Sequence, residues 1–120
     1  MFNILIVEDD KNTRKLMQAV LAADGFSTFL ATDGEQALDI LAGTHIDIIL
    51  LDIMMPKIDG FEFTKTLREN KIMTPILMVS AKSAPVDKKQ GFLLGVDDYM
   101  TKPVDEEEML LRIKALLRRA

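Results

Sequence analysis

Residues 48–56 read Ile-Ile-Leu-Leu-Asp-Ile-Met-Met-Pro, and the fold of the chain follows from this stretch. Four branched apolar residues in succession, bounded by turn residues, predict a short strand that is buried on both faces of a parallel sheet. Asp52 then stands where the chain leaves that strand. Asp is a common turn residue, but ligands of open α/β sheets bind just outside the carboxyl ends of the strands. Asp52 is therefore a candidate functional carboxylate.

The composition limits the classes of protein that the chain can represent. Its 120 residues are 48% hydrophobic and 28% charged, which is typical of one globular domain. The absence of Cys excludes disulfides and thiolate metal sites and agrees with a cytoplasmic location. The formal net charge of -4 argues against a nucleic-acid-binding face on this domain. No apolar run reaches the roughly 18 residues of a membrane span, so we expect no membrane association.

The rest of the chain alternates between strand-like and helix-like segments. Strands are predicted at residues 2–7, 27–31, 47–51, 75–79 and 97–100. Helices are predicted at residues 12–23, from the cap Asp33 to just before Gly43, at 60–70, at 86–94, and from the cap Asp105 to residue 119. Five such alternations indicate a parallel sheet with helices on both faces.

Helical spacing also predicts which side chains face the core. Asp33 with Gln36, and Asp105 with Glu108, have the spacing of capping boxes. The inward positions of the second and the last helix are Ala37, Leu38, Leu41, Met109, Ile113, Leu116 and Leu117. The last helix is acidic in its first turn and basic in its last turn, which matches the helix dipole.

The predicted fold is a doubly wound, flavodoxin-like α/β domain with a five-stranded parallel sheet and five helices on its two faces. Right-handed crossovers produce this arrangement, and five strands favour the order 2-1-3-4-5. In that order the first and third strands are neighbours, and their carboxyl ends flank the topological switch point, where the order of the strands reverses.

Polar side chains follow four of the five predicted strands. Glu8 and Asp9 follow the first strand, Asp52 the third, Ser80 the fourth and Lys102 the fifth. Three carboxylates that converge on one edge repel one another unless a cation lies among them. Oxygen ligands without Cys or His favour Mg²⁺, which binds a few carboxylates together with phosphate. With Mg²⁺ and Lys102, the site would be nearly neutral before a phosphoryl group arrives.

Four motifs in order resemble those of the receiver domain of two-component response regulators. They are Ile-Leu-Ile-Val-Glu-Asp-Asp at residues 4–10, Asp-Ile-Met-Met-Pro at 52–56 with Asp59-Gly60, Val-Ser-Ala at 79–81, and Asp-Asp-Tyr-Met-Thr-Lys-Pro at 97–103. The resemblance covers the whole chain, so residues 1–120 are interpreted as one receiver domain. It implies a phosphorylation switch and a sensor histidine kinase as the partner that donates the phosphoryl group.

The resemblance assigns a role to each matching position. Asp52 is the expected phosphoacceptor, a carboxylate nucleophile that forms an aspartyl phosphate. Asp9, Asp52 and the main-chain carbonyl of Met54 are expected to bind Mg²⁺ directly, and Glu8 through water. Lys102 is expected to pair with a phosphoryl oxygen, aimed by a cis bond to Pro103. Ser80 and Tyr99 resemble the switch pair, in which the hydroxyl moves to the phosphoryl group and the ring then swings inward.

Other functions for the same residues are less consistent with the sequence. A haloacid-dehalogenase-like phosphatase carries a second Asp two residues after its nucleophile, and Met54 occupies that position here. A flavodoxin-type cofactor binder needs a phosphate-cradling loop after the first strand, where this chain has three acids. A receiver fold kept only for protein interactions would not need the complete set of acids, hydroxyl and lysine. We therefore expect a phosphoacceptor that promotes its own phosphorylation and dephosphorylation, without turning over a separate substrate.

The last helix resembles that of the OmpR/PhoB class of winged-helix transcription factors. This implies a DNA-binding effector domain beyond residue 120, and DNA contacts through that domain alone. The alternative is a stand-alone regulator that acts through protein interactions. The resemblance also implies a phosphorylation-dependent homodimer through the fourth helix, fifth strand and fifth helix. The expected pairs across its two-fold axis are Lys88 with Glu108, Asp97 with Arg112, and Asp98 with Arg119.

Overall fold

The computed structural model describes residues 1–82 and 84–119, so residue 120, at the end of the predicted domain, lies outside the described residues. The strands are β1 (Asn3–Val7), β2 (Ser27–Ala31), β3 (Ile48–Leu51), β4 (Ile76–Ser80) and β5 (Asp98–Thr101). The helices are α1 (Lys11–Ala23), α2 (Gly34–Gly43), α3 (Gly60–Glu69), α4 (Pro85–Leu94) and α5 (Glu106–Arg119). Each predicted element is present, and its boundaries agree with the prediction to within two residues.

The five strands form one sheet in the order β2-β1-β3-β4-β5, and all four strand pairs are parallel. The predicted topology is therefore confirmed. Strands β1 and β3 lie side by side, and Val7 at the end of β1 is opposite Leu51 at the end of β3. The residues that follow these two strands consequently leave the sheet next to each other.

The core has two layers, one on each face of the sheet. On one face Leu5, Val7, Ile49 and Leu51 pack against the inner sides of α2 and α3. On the other face, the alternate strand residues, such as Ile6, pack against α1 and α5. Because both faces are covered, the central strands are apolar at almost every position, as residues 48–51 indicated.

The caps of two helices differ in part from the predicted capping boxes. Asp33 accepts a hydrogen bond from the Gln36 backbone N–H at 2.9 Å, but the Gln36 side chain accepts from the N–H of Thr32. Asp105 accepts from the Glu108 N–H at 2.9 Å, while the Glu108 carboxylate binds Arg112. The predicted N-caps are thus confirmed, whereas the reciprocal side-chain bonds were predicted wrongly.

Two details at the helix ends also correct the sequence analysis. Gly43 is the last residue of α2 and does not lie beyond its end. Leu117 is only half-buried, because it lies at the margin of the layer formed by α1 and α5. Within residues 1–82 and 84–119, no helix combines the length and apolar character that crossing a lipid bilayer requires.

Gly60 allows helix α3 to begin directly against the backbone of Asp52. A Cβ atom at position 60 would lie 2.8 Å from the Cα of Ile53 and 2.9 Å from the carbonyl carbon of Asp52. The N–H of Gly60 donates to the carbonyl of Ile53 at 2.8 Å, and Asp59 caps the helix through the N–H of Glu62. Any side chain at position 60 would therefore push α3 away from the strand end that carries Asp52.

We expect Gly60→Ala to lower the free energy of unfolding by about 2 kcal/mol, because the added methyl group meets backbone atoms that cannot rotate away. Urea denaturation measures this change. Gly43→Ala is the matched control, since a Cβ atom there meets nothing within 4 Å. The control should be neutral or slightly stabilising, because alanine favours the helix. Equal stability of the two variants would contradict the close-approach explanation.

Candidate functional site

The carboxyl edge of the sheet holds the side chains that the sequence analysis singled out. Glu8 and Asp9 follow β1, and Asp52 directly follows β3. One carboxylate oxygen of each of these three residues lies within 4.8 Å of the other two. Ser80 ends β4 and Lys102 follows β5. The topology therefore brings the three predicted acids together.

Lys102 lies between two of the three carboxylates. Its Nζ is 2.5 Å from Oε1 of Glu8 and 2.8 Å from Oδ2 of Asp52. Glu8 and Asp52 are 1% and 5% exposed, so both acids are almost withdrawn from water. The backbone N–H of Lys102 donates to the carbonyl of Ser80 at 2.9 Å, and the bond to Pro103 is cis, as predicted. The lysine thus connects the ends of β1, β3 and β4.

Burial and pairing act in opposite directions on the charges of this cluster. Burial raises the pKa of Glu8 above its ordinary value, and the hydrogen bonds from Lys102 and from the Asp10 backbone offset only part of the rise. Burial alone would lower the pKa of Lys102. The hydrogen bonds and charges of Asp52 and Glu8 outweigh that effect, so the pKa of Lys102 is raised. The ammonium form of the lysine is therefore favoured at neutral pH.

The donor atoms at this edge fit a hard divalent cation. Glu8, Asp9 and Asp52 offer only oxygen, and Lys102 balances one of their three negative charges. Asp9 is exposed, and its carboxylate makes no hydrogen bond within the described part of the chain. The N–H of Met54 donates to Oδ1 of Asp52 at 3.2 Å, so the chain folds back beside this carboxylate. The residues present therefore fit Mg²⁺ as the cation of this site.

Ser80 and Tyr99 both contact the segment that follows β4. Ser80 is fully buried, and its Oγ accepts a hydrogen bond from the Lys82 N–H at 3.3 Å. The Tyr99 ring is also buried, and its hydroxyl donates to the carbonyl of Lys82. The ring therefore already occupies the inward position that the switch hypothesis assigns to the end of the movement. Burial also raises the pKa of Tyr99, so its hydroxyl remains a proton donor.

The six residues of the predicted dimer surface lie on α4, on α5, and on β5 with the residue before it. Several of them already have partners within the chain. Arg112 contacts Asp98 at 2.9 Å and Glu108 at 2.8 Å, while Asp97 contacts Arg68 at 3.1 Å. The structure thus pairs Asp98 with Arg112, whereas the sequence analysis assigned both of them to partners across a two-fold axis. Within residues 1–82 and 84–119, Lys88 and Arg119 form no ion pair.

Three contacts near the site were not found by sequence reasoning. Arg14 donates to main-chain carbonyls of the turn after β1. Lys57, in the left-handed conformation, lies 3.0 Å from Glu35 and 3.7 Å from Asp33. The carbonyl of Lys82 accepts the Tyr99 hydroxyl. Each contact involves a backbone atom or a loop conformation, and periodicity and motif spacing carry no signal for either.

Known proteins are similar to this chain in both sequence and fold. The family described as response regulator receiver domain matches residues 4–114. The chain is 46% identical over 117 residues to the alkaline phosphatase synthesis transcriptional regulatory protein PhoP of Bacillus subtilis, covering 98% of this chain and 49% of that protein. It is 43% identical over 120 residues to the transcriptional regulatory protein CpxR of Escherichia coli, covering 100% and 51%.

A solved structure agrees with these matches. The receiver domain of the Francisella response regulator 1452 superposes with a TM-score of 0.95 at 34% identity, covering 99% of this chain and 98% of that chain. The chain belongs to the response regulator receiver domain family. Its relatives are of the OmpR/PhoB class, as the last helix indicated. The chain spans about half the length of the curated relatives that it matches.

Lys102→Met should raise the pKa of Glu8 further, because it removes the ammonium that partly offsets the burial of this carboxylate. Carbon NMR of the Glu8 Cδ across a pH titration measures the pKa of Glu8 in the parent protein and in the variant. Lys114→Met is the control, since Lys114 pairs with Asp24, which is not one of the three clustered acids. The control should leave the Glu8 titration unchanged.

The raised pKa of Glu8 also predicts how the free energy of unfolding depends on pH. The folded pKa of Glu8 is raised, so its contribution to stability is fully present below the unfolded pKa and is lost as the pH rises through the folded value. A midpoint for Glu8 below about 4.3, the usual glutamate value, would contradict this account of the cluster.

Proposed function

We propose that this domain is a phosphorylation switch in which Asp52 accepts a phosphoryl group from a phosphohistidine of a sensor histidine kinase. The observation that supports this proposal is the contact of Lys102 with Glu8 and Asp52 at the carboxyl edge of a receiver fold. An isolated structural ion pair would need only one acid. This site instead contains two buried acids, an exposed third acid and a single lysine. Its negative charges therefore exceed its positive charge.

The chemistry is an in-line transfer between two nucleophiles. One oxygen of the Asp52 carboxylate attacks phosphorus as the P–N bond to the imidazole breaks, and the imidazole nitrogen leaves with the electron pair of that bond. Lys102 neutralises charge that develops on a phosphoryl oxygen. Glu8, Asp9, Asp52 and the Met54 carbonyl would hold Mg²⁺, which when bound offsets the negative charge of the phosphoryl oxygens. Water then attacks the phosphorus of the acyl phosphate, which releases inorganic phosphate and returns the free Asp52 carboxylate.

Acetyl phosphate with Mg²⁺ should add one phosphoryl group to the protein, and Asp52→Asn should prevent this, because an amide oxygen is a poor nucleophile. Mass spectrometry measures the added group, which should be stable in acid and labile in base. EDTA should block the reaction. Asp39→Asn, an exposed position on α2, is the matched control and should be labelled like the parent protein. Equal labelling of Asp52→Asn would exclude Asp52 as the acceptor.

The same proposal includes a transcriptional output. The relatives PhoP and CpxR are transcriptional regulatory proteins about twice as long as this chain. We propose that this receiver controls a DNA-binding effector domain of the same kind, and that DNA is contacted only through it. The competing proposal is a stand-alone regulator that acts through protein contacts. The coding sequence downstream of residue 120 distinguishes the two.

A phosphorylation-dependent homodimer is the proposed link between the switch and that output. The contacts within the chain affect the three predicted pairs differently, and Arg112, the predicted partner of Asp97, already binds Asp98 and Glu108. Oδ2 of Asp97 binds Arg68, and Oε2 of Glu108 binds Arg112, so one oxygen of each carboxylate remains for a second copy. Asp98 differs, because both of its oxygens accept from Arg112. Its predicted pair with Arg119 of a second copy would therefore compete with a bond that already exists.

The energies indicate which contacts matter at such an interface. An exposed ion pair gives roughly 0.2–1 kcal/mol, so three pairs repeated by a two-fold axis give a few kcal/mol. A micromolar dimer needs about 8 kcal/mol, so apolar contact must supply the rest. Phe92 is 49% exposed on α4, and Leu110 is half-buried on α5. Lys89 stands where the class usually has an aliphatic residue, which lowers the apolar area available.

With beryllofluoride and Mg²⁺, the parent protein should form a salt-sensitive dimer that each of Lys88→Glu and Glu108→Lys disrupts. Each single change places like charges opposite each other, and the double variant should restore the attraction. Sedimentation equilibrium of the four proteins measures the result. Glu107→Lys is the control, because Glu107 is exposed and forms no ion pair within the described residues. Dimerisation of both single variants at the parent level would exclude this interface.

A further inference from the structure

Arg14 binds the turn that carries two of the three acids. Its Nη1 donates to the carbonyl of Glu8 at 2.9 Å and to the carbonyl of Asp9 at 3.2 Å. Arg14 itself lies in the first turn of α1, where its N–H donates to the carbonyl of Asp10 at 2.9 Å. One half-buried side chain therefore binds the backbone carbonyl before and the backbone carbonyl after the Cα atom of Asp9.

The other side-chain contacts of this turn reach neither the carbonyl nor the carboxylate of Asp9. Asp10 caps α1 through the N–H and hydroxyl of Thr13, at 2.8 and 2.7 Å. The N–H of Asp10 donates to Oε2 of Glu8 at 3.1 Å. The carboxylate of Asp9, in contrast, is exposed and makes no hydrogen bond within residues 1–82 and 84–119. Its direction therefore depends on its backbone, and Arg14 is the side chain that binds the Asp9 carbonyl.

We propose that Arg14 is a positioning residue for the metal site, holding the Glu8–Asp9 backbone so that the Asp9 carboxylate faces Asp52. This inference rests on the proposed function, since it concerns the cation that the three acids would bind. Groups that orient metal ligands typically change metal affinity 10- to 100-fold when they are removed.

The charge of Arg14 and its hydrogen bonds predict opposite effects on the metal. A guanidinium close to the acids repels a cation, so removing its charge alone would tighten Mg²⁺ binding. Removing its two carbonyl contacts frees the turn and would weaken Mg²⁺ binding. The sign of the change therefore separates a positioning role from a purely electrostatic one.

The experiment is a Mg²⁺ titration followed by the amide NMR signals of Asp9, Asp10 and Asp52. We expect Arg14→Ala to weaken Mg²⁺ binding about 10-fold. Arg14→Lys keeps the charge but has an amine one bond closer to the backbone and lacks the planar fork, so it should also bind more weakly than the parent. Lys11→Ala is the matched control. It removes the same charge from the same turn of α1, and Lys11 makes no side-chain hydrogen bond or ion pair within the described part of the chain.

A second measurement needs no metal. Amide hydrogen exchange without Mg²⁺ should be faster at residues 9–13 in Arg14→Ala and unchanged in strand β4, and urea denaturation should show that the variant remains folded. Mg²⁺ binding by Arg14→Ala that equals or exceeds that of the parent would overturn the inference, whatever the exchange rates. If Mg²⁺ shifts the amide signals of neither the parent protein nor Asp9→Ala, the parent has no Mg²⁺ site. The proposed function then fails, and this inference with it.

Discussion

The ion contacts of Lys102 are the interaction on which the rest of the site depends. Two carboxylates that are almost inaccessible to water lie at the ends of adjacent strands. Taking a charge out of water costs several kcal/mol unless a partner of opposite sign is close. Lys102 supplies that partner for Glu8 and Asp52 at once, although it follows β5 at the edge of the sheet. Lys102, near the C-terminal end of the described chain, therefore compensates the buried negative charges at the ends of β1 and β3.

This cluster does not contribute to stability in the way that an apolar core does. Buried ion pairs are often neutral or worse than apolar residues of the same size. The buried apolar contacts of the domain lie instead in the two core layers, built from β1, β3 and the helices on either face. The cluster is therefore better explained by the proposed function, in which the excess of acid over lysine would favour a bound cation, and that cation would then allow a phosphoryl group to approach.

The fold could be predicted from the sequence because its strongest signals are local and repeated. Residues 48–51 are apolar at each position, which a strand covered on both faces requires, and the five alternations then limited the topology to few choices. The acids and Lys102 could be placed because parallel strands end at a common edge. The contacts of Arg14 could not be predicted in this way, since its partners are backbone carbonyl oxygens, which every residue carries. The bond of Arg112 to Asp98 also escaped prediction, because each residue had a plausible partner elsewhere.

Gly60 allows α3 to pack directly against the backbone on one side of Asp52. The first turn of α3 rests on the backbone of Asp52 and Ile53 with no side chain between them. The end of β3 and this helix therefore meet backbone against backbone, with no side chain at position 60 that could adjust to a displacement. We expect a rearrangement around Asp52 to involve instead the segment after β4, which Ser80 and Tyr99 each contact through one hydrogen bond. If Asp52 accepts a phosphoryl group, as proposed, we expect the resulting change to be transmitted through the segment after β4 and not through α3.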